Sequence, residues 1–187
     1  MHSGDCFLVP GPVRMSEACL QAMATPVMTA RGPEFRQVMA GLNSGLRYAF
    51  NLSPSKPEMK TQSWTGEDGY RVVVVSGSGT AAMEMVIANR FRSNDLVLVP
   101  TNGKFGERVA DICRQFCNVK HLNYEWGRSF DLYELEQQLE RGCYEALLIC
   151  HNETSTGITQ DAEAIAEMCE RHGCLLYTSP SPRDNTT

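Results

Sequence analysis

The stretch VVVVSGSGTAAMEM, Val72–Met85, decides the fold. Four β-branched residues predict a strand over Arg71–Val75, Gly77 and Gly79 predict a tight turn, and TAAMEMVIANRF predicts a helix from Thr80. A strand that passes through a glycine turn into a helix is the first half of a βα unit. The alternation then continues through strand DLVLVP, helix FGERVADICRQF, strand NVKHLNY, helix DLYELEQQLER, strand EALLIC, helix DAEAIAEMCERH and strand CLLY. Apolar strands that alternate with helices over short connections run parallel and are covered on both faces. The expected fold class is therefore α/β, a three-layer sandwich.

Upstream the text is less regular. FLVPGPVRM reads as an extended segment, SEACLQAMA as a short helix opened by Ser16, and Pro33–Phe50 as a second helix. Phe35, Val38, Met39, Leu42, Leu46 and Phe50 recur in steps of three and four, which predicts one buried helical face. NLSPSKPEMKTQSWTGEDG is a loop with two prolines. The expected organisation is an N-terminal segment over 1–68, a partial α/β domain over 69–176 and a tail over 177–187.

Composition narrows the function classes. With 187 residues, 42% hydrophobic and 21% charged, the chain has the make-up of one globular domain. A net charge of -5 and no basic run argue against nucleic acid as a partner, because phosphate-backbone binding needs clustered Lys and Arg. MHSGDCFLVPGP places an acid and a proline before any long apolar run, which fits neither a secretory leader nor a membrane span. A soluble cytoplasmic protein is expected. The eight cysteines are scattered and read as reduced, buried thiols; Cys113 and Cys117 lie one helical turn apart without further ligands for a metal.

In open α/β sheets ligands bind outside the carboxyl ends of the strands. Three polar, glycine-bearing clusters are expected there: SGSGT, TNGKFGER and HNETSTG. Together they read as one site. Amides after Ser78 would be unpaired helix N-terminal donors, and an anion placed on them gains about 0.3 to 2 kcal/mol from the helix dipole. Gly77 and Gly79 would permit positive φ and a close approach of a phosphate. A plain strand-to-helix turn with Thr80 as N-cap is the alternative. Gly77, Gly79 and Ala82 also satisfy G-x-G-x-x-A, so a nucleotide- or dinucleotide-binding module is the rival function. The acid that this fingerprint needs at the end of the second strand is missing, since Asp95 stands at the other end. His151 reads as a strand-end polar residue that orients its loop, and Lys104 as solvated.

FLVPGPVRM, RGPEF, VVSGSGTAAMEM, NGKFGERV and HNETSTG, from Phe7 to about Gly173, resemble the class V pyridoxal-phosphate aminotransferases, within them the alanine-glyoxylate and serine-pyruvate (serine-glyoxylate) group. The resemblance implies the large domain of aminotransferase fold type I, truncated, and pyridoxal 5'-phosphate as cofactor. It also implies a homodimer with the cofactor near the subunit interface. By the same resemblance Ser78, Gly79 and Thr80 bind the cofactor phosphate, Phe105 stacks on its pyridine ring, Thr154 hydrogen-bonds a ring substituent, and Gly11 lies near the substrate. Glu153, Ser155 and Gly157 shape the loop around Thr154. The implied reaction moves an amino group from a small amino acid to a 2-oxo acid such as glyoxylate or pyruvate, with aspartate or aminoethylphosphonate donors open.

Two departures stand against this pattern. Ser179 occupies the place where the family has the Asp that partners the pyridine nitrogen. Lys56, Lys60, Lys104 and Lys120 are the only lysines, and all precede the region of the family's catalytic lysine. CLLYTSPSPRD looks like a translated sequencing adapter joined to a truncated reading frame. No catalytic residue of the family is therefore expected in this chain, which by itself, unlike its soluble parent, should be inactive and poorly soluble or partly molten.

Overall fold

The computed structural model describes residues 14–52 and 69–178, and the chain divides into two compact units, Met1–Val74 and Val75–Thr187. In the first unit Ser16 caps α1 (Glu17–Met23), its hydroxyl accepting from the Cys19 amide at 3.3 Å. Pro33 sits at the start of α2 (Pro33–Ala49), where its missing N–H costs nothing. The apolar face expected on α2 is not buried: Val38, Leu42 and Phe50 are exposed, and the residues α2 does bury are Asn43 and Arg47. Arg47 donates to the Tyr70 carbonyl at 3.0 Å. The periodicity made the helix, but among the described residues of this unit no apolar surface covers the stripe.

The second unit contains α3 (Gly79–Arg90), β1 (Leu96–Thr101), α4 (Lys104–Phe116), β2 (Asn118–Asn123), α5 (Leu132–Arg141) and β3 (Ala146–Ile149). They are followed by β4 (Asn152–Glu153), β5 (Ile158–Thr159), α6 (Ala162–Arg171) and β6 (Leu175–Thr178). Four strands form a parallel sheet in the order β2-β1-β3-β6. Successive residues of a strand point to opposite faces, and the central strands use both. Val97, Val99, Ala146 and Leu148 pack with Ile87, Val109, Ile112 and Cys113 from α3 and α4. Leu98, Leu147 and Ile149 pack with Leu135, Leu139, Ile165 and Met168 from α5 and α6. This is the three-layer α/β sandwich expected from the continuous apolar strands.

Three expectations need correction. Arg71–Val75 is not a strand: Arg71 makes a single bridge, and Val73, Val74 and Val75 are exposed. β propensity becomes a strand only where a partner supplies a ladder of hydrogen bonds, and 71–75 is not among the strands of either sheet. Gly77 and Gly79 do not take positive φ. The stretch HNETSTG, expected as loop, folds into the β4–β5 hairpin, with Gly157 at φ 76 closing its turn. The last strand, β6, runs through Thr178, paired to Ile149.

The connections set the site. From β1 the chain crosses through α4 to β2 on one side, whereas from β3 it crosses through α6 to β6 on the other. The carboxyl ends of β1 and β3 thus flank a topological switch point, the place where open α/β sheets leave a crevice. No described helix is long and apolar enough to cross a membrane.

Candidate functional site

At the switch point β1 ends in Thr101, and Asn102–Gly103 leads into α4 with no side-chain cap from Gly103. The first amides of α4 are satisfied from across the crevice instead. The Glu153 carboxylate accepts from the Phe105 amide at 3.0 Å and the Gly106 amide at 2.9 Å. Its other oxygen accepts from the Ser155 hydroxyl at 2.6 Å and the Ser155 amide at 3.2 Å. The Ser155 hydroxyl in turn accepts from the Lys104 amide at 2.9 Å. Glu153 is fully buried. Burial alone would push its carboxyl up, but the Ser155 hydroxyl and the amides of Gly106, Ser155 and Phe105 outweigh that and hold it below the usual carboxylate value. The neighbouring Cys150 thiol is pushed up to about 12, first by burial and then by the Glu153 charge. One anion thus sits at the positive end of α4, and it belongs to the chain itself.

The N-terminus of α3 is arranged differently. Ser78 caps it, its hydroxyl accepting from the Ala81 amide at 3.2 Å, so the N-cap is Ser78 rather than Thr80. Ser78 thereby leaves the amides of Gly79 and Thr80 without an acceptor among the described residues. A Cβ at Gly79 would meet nothing within 4 Å, so the approach to these amides is open. Arg108 reaches from α4 and donates to the Thr80 hydroxyl at 3.3 Å. Its guanidinium carbon lies 5.2 Å from the centre of the Phe105 ring, a cation–π contact that joins Phe105 to Thr80.

The structure therefore brings Ser78, Gly79, Thr80, Phe105 and Thr154 to neighbouring loops of one sheet edge. Phe105 is 37% exposed at the start of α4, and Thr154 is exposed in the hairpin turn immediately after Glu153. Gly11 and Ser179 lie outside the described residues. The His151 carbonyl accepts from the Gln160 amide at 2.9 Å, consistent with a role in setting the loop. Lys104 points its ammonium at Glu107, 3.4 Å away, and Lys120 is exposed on β2.

Sequence reasoning did not single out Arg108 or Asn102, and gave Glu153 only a share in shaping its loop. Asn102, 1% exposed, donates to the Arg128 carbonyl at 2.5 Å and pins the β2–α5 connection to the crevice. Arg108 stands one helical turn after Phe105, a spacing that puts both side chains on one face of α4. That spacing was the readable signal for it. The assembled groups suit a phosphorylated aromatic ligand: two open amides, a threonine hydroxyl and a guanidinium for the anion, a half-exposed phenyl ring for a flat ring, and a free hydroxyl at Thr154. Among the described residues no cluster of His, Cys, Asp and Glu could hold a metal ion.

Comparison with known proteins agrees with this fold. The chain is 31% identical over 174 residues to the soluble hydrogenase 42 kDa subunit of Anabaena cylindrica, covering 91% of this chain and 41% of that protein. It is 30% identical over 171 residues to the alanine-glyoxylate aminotransferase of Rattus norvegicus, covering 91% of this chain and 38% of the relative. Among solved structures, the alanine-glyoxylate aminotransferase from Nostoc sp. superimposes with a TM-score of 0.73 at 34% identity, over 91% of this chain and 41% of that one. The chain thus spans about two fifths of the length of the relatives it matches. The family model described as aminotransferase class-V matches residues 49–179, more than half of the chain, and with the parallel α/β sandwich and its switch-point site this places the protein in the class V aminotransferase family.

Proposed function

We propose that the chain is the cofactor-binding part of an aminotransferase that takes pyridoxal 5'-phosphate and passes an amino group from a small amino acid to a 2-oxo acid such as glyoxylate or pyruvate. The observation that carries this reading is the Arg108 bridge, which joins the α3 amide pair through Thr80 to the exposed Phe105 ring. A phosphate and an aromatic ring on one ligand need that combination of groups. In this role the Gly79 and Thr80 amides hold the phosphate, the Phe105 ring fixes the plane of the pyridine, and Thr154 offers its hydroxyl to a ring substituent. Arg108 adds a charge opposite to that of the phosphate. The cofactor supplies an aldehyde for amino groups and an electron-accepting ring. The whole protein, on this reading, is a cytoplasmic homodimer whose catalytic lysine and pyridine-nitrogen Asp lie outside this chain.

The test is a titration of the chain with pyridoxal 5'-phosphate, followed by absorbance and Trp fluorescence, beside the Gly79→Glu variant. Open space at Gly79 accommodates the larger side chain, so the fold should survive while a carboxylate enters the phosphate seat. Saturable binding by the parent chain and none by the variant is the expected result. Equal binding by both would move the phosphate elsewhere. A response to nicotinamide dinucleotide but not to pyridoxal 5'-phosphate would make the chain a dinucleotide-binding module instead.

A further inference from the structure

Of α3 and α4, the two helices whose first amides face this site, only α3 keeps those amides open among the described residues. The helices α5 and α6 are capped locally, Asp131 accepting from the Tyr133 and Glu134 amides and Asp161 from the Ala164 amide. A helix that needed no more than a cap would use the same device. The N-cap position of α4 is instead Gly103, and the capping carboxylate comes from Glu153, 47 and 48 positions away from the amides it accepts. Gly103 is where it is because Glu153 fills the space a side chain would take: a Cβ there would collide with the Glu153 Cγ and stand 2.6 Å from its Cδ and 2.7 Å from the Ser155 hydroxyl. The carboxylate is therefore a strut across the crevice. One end holds the backbone of Phe105, and the other holds Ser155, with Thr154 between Glu153 and Ser155 in the chain.

We propose that Glu153 is a positioning residue for the cofactor site, its carboxylate fixing the Phe105 ring relative to the Thr154 hydroxyl while closing the α4 N-terminus to any other anion. This rests on the pyridoxal 5'-phosphate reading above. The two open amides of α3 are then the seat left for the phosphate at this edge, and the ring and hydroxyl that meet the rest of the ligand are held at one separation.

The experiment uses the full chain and four proteins: the parent, Glu153→Gln, Ser155→Ala and Ile165→Val. Ile165 of α6 is buried in the layer on the other face of the sheet from α4, so its variant lowers stability without removing a hydrogen bond of the strut. Each is titrated with pyridoxal 5'-phosphate, and the circular dichroism of the bound cofactor in its own absorption band is recorded. Glu153→Gln keeps the shape but replaces one acceptor oxygen by a donor, and should weaken binding about ten- to a hundredfold with a changed dichroic band. Ser155→Ala, a milder cut of the same strut, should move both readouts in the same direction by less. Ile165→Val should bind as the parent does, with the parent's band. If Glu153→Gln and Ser155→Ala bind like the parent with its band, or lose no more than Ile165→Val at matched stability, Glu153 is only a structural cap and the proposal falls while the functional reading stands. A parent chain that does not bind pyridoxal 5'-phosphate overturns the functional reading and this proposal together.

Discussion

Gly103 and Gly157 stand on opposite sides of the crevice and are glycine for different reasons. Gly103 has φ 176, an extended backbone open to any residue, so its constraint is steric and comes wholly from Glu153 and Ser155. Gly157 meets nothing within 4 Å, yet its φ of 76 lies in the left-handed region. Gly103→Ala should cost about 1 to 3 kcal/mol, as overpacking does, and should break the strut. Gly157→Ala should cost about 1 to 2 kcal/mol through backbone strain, with Gly157→Asn milder because Asn tolerates that conformation. Urea unfolding of the three variants checks both, and an Asn variant worse than Ala at 157 would mean that the turn is held by something other than φ. At this scale Phe105 and Thr154 were singled out only by the family resemblance, and the structure sets both beside the crevice. Glu153 was less legible because its role depends on amides far away in the chain, a distance no local pattern encodes.

Elements were read well where a partner existed and poorly where it did not. The helices and the apolar strands of the second unit fall within a residue or two of their periodic patterns, since each finds a covering layer. Val73–Val75 and the α2 stripe have strong patterns but no apolar layer over them among the described residues, so propensity alone overstated them. At the edge strand β2 a side-chain relay replaces apolar packing. Arg114 donates to Nδ1 of His121 at 3.0 Å, which leaves the proton on Nε2 to reach the Thr101 hydroxyl at 2.8 Å; that hydroxyl donates onward to Asn123 at 3.4 Å. Burial first, and then the Arg114 charge, hold the imidazole below its ordinary value of 6.5, against the smaller opposing pull of Glu107 and Asp111. Because the folded value is depressed, the unfolded chain takes up the proton first. The relay's contribution is complete above pH 6.5 and is lost as pH falls from there through the folded value. Proton-detected titration of His121 should give a midpoint under 6.5 with the Nε2-protonated tautomer above it, and Arg114→Gln should move the midpoint up. A midpoint at or above 6.5 in the parent would count against the relay.

On the scale of the whole unit, β1 and β3 are shared between two apolar layers, one with α3 and α4 and the other with α5 and α6. Val97, Leu98, Val99, Leu147 and Leu148 are fully buried, so neither layer can lose its helices without exposing strands that the other layer also needs. The unit should therefore unfold in one step, and damage to the α5–α6 layer should be felt at the Trp126 indole, which is bonded to α4 of the other layer. That indole donates to Glu107 of α4 at 3.1 Å, and in a Trp64→Phe background it is the only tryptophan left to report. Leu135 is fully buried in the α5–α6 layer, and Leu135→Ala should cost about 2 to 5 kcal/mol from lost transfer energy and the cavity left behind. In urea, far-ultraviolet circular dichroism and Trp126 fluorescence should shift together to lower denaturant and stay superimposed, as a two-state transition requires. If the dichroism fell first, with Trp126 holding its parent midpoint, the two layers would be separable. The switch-point site would then rest on the α4 layer alone, and the hairpin that carries Glu153 and Thr154 would owe its position to the carboxylate strut more than to the core.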